Sequence, residues 1–143
     1  MFTSDAEIHE IATRLIDCTL PKPGWTHAAH FAAAVWLLQS PDYVAERDMP
    51  DMIRRYNLAC GVENTENSGY HETITLASIR VAKHVISALP QTTPLFEATN
   101  AVLSSRYGRS DWILDYWSKA RLFSQRARHS WLDPDIKNLP DAE

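Results

Sequence analysis

Three histidines and a glutamate occupy positions where hydrophobic residues would be expected. Trp25-Thr26-His27-Ala28-Ala29-His30 carries two imidazoles three residues apart, and Gly69-Tyr70-His71-Glu72-Thr73 carries a third beside a carboxylate. Residues three apart share a helix face, about 60° apart around the axis. A helix often offers two metal ligands in this way. His27, His30 and His71 would hold a metal and leave a position open for water, the usual catalytic arrangement. Metal-bound water ionises near neutral pH, and Glu72 is then either a further ligand or the general base. Tyr70 stands with Glu72 on the catalytic side, while Asn57 and Trp25 would support the ligands from behind. Imidazole donors suit zinc, iron, nickel or copper, with manganese an option if Glu72 joins.

A structural alternative stands beside this reading. A buried histidine is often hydrogen-bonded only to a carbonyl or a hydroxyl, and one at a helix start can serve the turn before it. H-x-x-H alone is a weak motif. It is not the H-E-x-x-H of zinc proteases, because Glu72 follows His71 directly and Thr75 stands where a second histidine would be needed.

The elements that must position these residues read as helices. Ser4-x-x-Glu7 is a capping box ahead of Ile8, Ile11, Ala12 and Leu15, giving a first helix over about 5–18. Leu20-Pro21-Lys22-Pro23-Gly24 stops it. The second helix, from about 25 or 26 to 39, is apolar nearly all round and belongs in the middle of a bundle. Asp48-x-Pro50 reads as the start of a third, striped by Met49, Met52, Ile53, Tyr56 and Cys60, with Gly61 as its C-cap. A polar loop over 62–68 leads to Gly69 and a fourth helix over about 70–89. On its wheel His71 falls near the middle of the apolar side and Glu72 on the border. Thr73, Arg80, Lys83, His84 and Ser87 fall on the polar side. Thr93-Pro94 opens a shorter helix to about 104. Ser110 caps a last one through Trp112, Ile113, Tyr116, Trp117, Ala120 and Phe123. From Trp131 the tail reads as extended. The expectation is an all-α, single-domain bundle of five to six helices, its core made by the second, third, fourth and sixth.

Composition bounds the rest. The chain has 143 residues, 45% of them hydrophobic and 22% charged, with only four Gly, which fits one soluble helical domain. Residues 1–100 hold seven Lys and Arg against twelve Asp and Glu; residues 101–143 hold seven against six. The basic stretch from Arg106 to Arg128 reads as a solvated face, since nucleic-acid binding normally shows a stronger excess. Cys18 and Cys60 have no metal-type spacing and read as buried reduced thiols. No signal peptide is visible, and the apolar run 28–38 is too short to span a bilayer. A cytoplasmic location follows, with a small-molecule substrate, no nucleic acid, no membrane, and a homodimer as an option.

The W-T-H-x-x-H and G-Y-H-E-T motifs, with the ending Trp131-Leu-Asp-Pro134-Asp-Ile, resemble those of a group of short all-helical bacterial proteins. The resemblance implies a bacterial origin and little about activity. More remotely, the plan is similar to the DinB/YfiT-type helical bundles, whose metal is held by three histidines on different helices. That family places one histidine early and a pair four apart late; here the pair is early and three apart.

The leading expectation is therefore a hydrolase acting through metal-bound water. One rival is a metal-free enzyme, with His71 or His27 as the acid–base group assisted by Glu72 and Tyr70. The other is a non-enzymatic module binding a small molecule or a protein through exposed Trp112, Tyr116 and Trp117, its histidines purely structural.

Overall fold

The computed structural model describes residues 1–140. Among these the chain is all-helical, with α1 (Asp5–Ile16), α2 (His27–Gln39), α3 (Ala45–Ala59), α4 (Glu72–Ser87), α5 (Leu95–Ser104), α6 (Lys119–Leu122) and α7 (Gln125–His129), plus three short 3₁₀ turns and no strand. No helix among the described residues is long and apolar enough to cross a membrane.

α2 is the axis. Ala33, Ala34 and Leu37 pack into one half-core with Leu15, Met49, Met52, Ile53, Tyr56 and Ile79. Phe31 and Val35 pack into the other with Val81, Val102, Trp112, Trp117 and Leu122. A helix that feeds two cores must be apolar on both sides, which explains its composition. Its alanines let the neighbours approach closely; enlarging one would cost about 1–3 kcal/mol through overpacking. α1 is a surface helix whose stripe Ile8, Ala12 and Leu15 is buried, and its capping box is made as expected, with the Ser4 hydroxyl and the Glu7 carboxylate each serving the other's backbone. α1 ends at Ile16 because Cys18 turns left-handed at φ 60°.

α3 begins at Ala45, three residues ahead of the expected start. Val44 is extended at φ −114° and its N–H donates 2.8 Å to Asp48 Oδ2. Asp48 thus serves the helix start from within the first turns, and Pro50 sits inside the helix. The C-terminus follows expectation. Gly61, at φ 78°, sends its N–H to Leu58 O at 3.1 Å, and the N–H of Val62 reaches Asn57 O at 2.8 Å, a Schellman closure.

The expected sixth helix is not one helix. Residues 106–108 and 112–115 form 3₁₀ turns, and two separate short helices follow, each capped by its own serine: Ser118 accepts from Arg121 N–H and Ser124 from Ala127 N–H. The core assignment shifts with it, since α5 and these turns supply what a long sixth helix was expected to supply. Trp112, Tyr116 and Trp117, which only the non-enzymatic alternative needed exposed, are at most 3% exposed. Trp117 instead donates its indole N–H to Leu132 O at 2.8 Å. Thr73, placed on the polar side of its helix, is fully buried. Its Oγ1 donates toward Ala127 O at 2.7 Å and Ser130 O at 2.9 Å, and accepts the N–H of Leu132 at 3.2 Å. This bond set ties the extended tail to α4. Cys18 and Cys60 are half-buried free thiols rather than fully buried ones.

Candidate functional site

The site lies where α3 and α4 run past the start of α2. Met49, Ile53 and Asn57 recur at four-residue spacing and line one side of a cleft of about 270 Å³. His71, Ile74, Thr75 and Ser78 recur at helical spacing on the facing side, and Trp25 and His30 close one end. Gly69 and Tyr70 complete the lining. Of the residues singled out in the sequence, Trp25, His30, Asn57, Tyr70 and His71 are therefore gathered, while His27 and Glu72 lie outside the lining.

The turn before α4 is held by an amide network that the sequence did not reveal. Asn64 Nδ2 donates to Arg54 O at 3.0 Å, which fixes the orientation of that amide. Its Oδ1 then accepts from Tyr70 N–H and from Asn57 Nδ2, both at 3.0 Å. Gly69 is required here by conformation and by space. It sits at φ 80°, and a Cβ would lie 2.5 Å from Glu63 O. Arg128 donates to Gly69 O at 3.0 Å and to Tyr70 O at 3.3 Å, clamping the same turn from α7.

The three histidines do three different things. His71 is the N-cap of α4. Its Nε2 donates to Leu122 O at 2.7 Å, so the neutral ring presents Nδ1 as an acceptor, and Nδ1 takes the N–H of Ile74 at 3.1 Å. Both nitrogens are spent. Burial lowers its pKa, against the pull of the Leu122 carbonyl and with help from Arg128. His27 donates Nε2 to Tyr107 O at 2.9 Å and packs edge-on against Phe31. It fastens α2 to the turn after α5, away from the cleft.

His30 is the histidine that lines the cleft with a ring nitrogen to spare. Its Nδ1 donates to Thr26 O at 2.8 Å and its ring stacks on Trp25 at 3.7 Å between centroids. Nε2 therefore keeps its lone pair and has no partner among the described residues. No buried side-chain nitrogen or oxygen among the described residues lacks a partner, so Nε2 must reach solvent. Burial lowers the pKa of His30, opposed by the Thr26 carbonyl and reinforced by His27.

Tyr70 donates its hydroxyl to Glu72 Oε1 at 2.5 Å, the length of a bond to a carboxylate. The guanidinium of Arg54 lies 4.3 Å above its ring. Burial, then the Glu72 carboxylate, push the phenol well above its ordinary value. Tyr70 stays protonated and Glu72 is turned toward it.

Held this way, His27, His30 and His71 donate to three different backbone carbonyls, those of Tyr107, Thr26 and Leu122. His71 has no free nitrogen, and His27 is pinned to another element. Among the described residues no group of three or more His, Cys, Asp or Glu side chains is placed to share an ion. No family model, no curated protein and no solved structure matches the chain.

Proposed function

We propose that the protein binds a small organic molecule in the cleft between α3 and α4, with His27 and His71 serving the fold. The observation that carries this reading is the convergence of Trp25, His30, Asn57 and Tyr70 on one cavity whose other walls combine the apolar Met49, Ile53 and Ile74 with the uncharged His71, Thr75 and Ser78. At about 270 Å³ it lies near the lower end of ligand-pocket sizes. That suits a compound of one or two rings. Asp, Glu, Lys and Arg are absent from the lining, which favours an uncharged occupant.

Binding is better supported than proton transfer. A good general acid or base has a pKa near the working pH. Burial moves the phenol of Tyr70 up and the imidazoles of His30 and His71 down, so all three are neutral near pH 7 and each is shifted away from it. The hydrolase reading, with metal-bound water, asks more of the fold. His71 would have to release both Ile74 N–H and Leu122 O before it could ligate.

The test is an NMR screen of isotope-labelled protein against uncharged one- and two-ring compounds. The expected result is a set of hits that shift the Trp25 indole N–H and the amides of Tyr70, Thr75 and Ser78 together. A screen at millimolar concentration with no hits, or with hits confined to other surfaces, would remove the reading.

A further inference from the structure

The polar groups facing the cleft have already given away nearly all their protons. Thr75 donates its hydroxyl to His71 O at 2.9 Å and Ser78 donates to Ile74 O at 2.7 Å, each into its own helix. Tyr70 donates to Glu72. His71 donates to Leu122 O and His30 to Thr26 O. The orientation of Asn57 is set by the Asn64 network, which takes one of its N–H groups and leaves its Oδ1 without a partner among the described residues. What remains toward the cavity is lone pairs: Nε2 of His30, the hydroxyl oxygens of Thr75 and Ser78, and Oδ1 of Asn57. Among the described residues the side-chain donors left over are two, the second N–H of Asn57 and the indole N–H of Trp25, against four groups that offer lone pairs.

We propose, resting on the ligand-binding reading above, that the occupant is a hydrogen-bond donor: a flat, uncharged ring compound carrying N–H or O–H. Acceptors that a ligand covers without a donor lose their water and gain nothing, so the cleft discriminates against molecules that only accept. His30 Nε2 is the main anchor. An imidazole nitrogen is a strong acceptor, and the ring is fixed in advance by the Thr26 carbonyl and by Trp25, so little ordering is needed on binding. The apolar side chains of Met49, Ile53 and Ile74 then cover the ring body.

The probes are indole and benzofuran, which share size and shape and differ in an N–H against a bare oxygen. Titrated into labelled protein, indole should bind at least roughly tenfold more tightly than benzofuran, the worth of one hydrogen bond to a site that would otherwise be left unpaired. Indole, and not benzofuran, should move the Nε2 nitrogen resonance of His30. His30→Phe keeps the stacking on Trp25 and removes the acceptor, and should bring indole down to the level of benzofuran. The His30 nitrogen shift in the unmodified protein decides the matter if that variant does not fold. Equal binding of both probes in the cleft, or tighter binding of benzofuran, overturns the donor rule and leaves the binding site standing. Binding of neither probe in the cleft overturns both.

Discussion

Replacing His71 separates a residue that builds the fold from one that would hold a metal. His71→Ala removes two bonds at once. The cap on Ile74 N–H goes, and N-cap losses cost roughly 0.5–2 kcal/mol. The carbonyl of Leu122 is left facing a buried gap without its donor, which costs about 1–3 kcal/mol more. The expected destabilisation is about 2–4 kcal/mol by urea unfolding. His71→Asn can still cap the helix but is too short to reach Leu122, so it should recover about 1 kcal/mol of that loss. The pH dependence gives an independent readout. The folded state lowers the pKa of His71 from 6.5, so it favours the neutral ring. The unfolded chain takes up its proton first as pH falls. The contribution is therefore complete above about pH 6.5 and is lost as pH falls from there toward the folded pKa, at no more than about 1.4 kcal/mol per pH unit for one group. His30 is shifted in the same direction and adds to the slope. His71→Asn should flatten the wild-type slope between pH 6.5 and 5 without abolishing it. An alanine variant within about 0.5 kcal/mol of wild type, or an asparagine variant with an unchanged slope, would refute the assignment of His71 as a neutral cap.

Gly69→Ala and Gly61→Ala both place alanine at positive φ, but a Cβ at 61 meets nothing within 4 Å while one at 69 meets Glu63 O. The first should therefore cost clearly more than the second, whose cost should stay near the roughly 1 kcal/mol of a left-handed residue; equal losses in chemical denaturation would contradict this. Thr73→Val keeps the shape and strips the bonds to Ala127, Ser130 and Leu132. It should cost about 2–4 kcal/mol and speed hydrogen exchange at the Leu132 amide, and unchanged protection there would show that the tail is held by packing alone. Zinc added to protein purified without a nickel column should raise the melting temperature by no more than about a degree, because His30 offers the cleft one free nitrogen. A large stabilisation that His71→Ala abolishes would favour the metal reading instead.

The fold was legible wherever the signal was local. The capping box of α1, the all-round apolar character of α2 and the left-handed Gly61 each depend on residues within a few positions of one another. Periodicity failed where a distant segment decides burial. Thr73 lies on what a wheel makes the polar face of α4, but α7 and the tail cover that face and supply the carbonyls its hydroxyl needs. The last third breaks into short pieces because Ser118 and Ser124 each cap a new start within six residues, a pattern hidden inside a run of aromatic residues that looks continuous. Asp48-x-Pro50 misled because an acidic side chain can reach back to a helix start from inside the helix as well as from its cap.

The site shows why residue type and spacing locate it better than they explain it. Histidine at two helix starts did mark one region, since His30 and His71 face a common cleft and bring Trp25, Asn57 and Tyr70 with them. What each imidazole can do there depends on which carbonyl it meets. The partners of His27 and His71 belong to Tyr107 and Leu122, 80 and 51 positions away, while the partner of His30 is four residues back in its own turn. The two long-range bonds lock helices together, and at His71 the Ile74 N–H takes the second nitrogen as well. The short-range bond fixes a ring and leaves its other nitrogen open. Thr75 and Ser78 follow the same logic: each spends its proton on the preceding turn of α4 and keeps lone pairs for the cavity. An acceptor-lined cleft is thus a consequence of how the helices satisfy themselves, and the ligand it selects must bring the protons that the protein has already used.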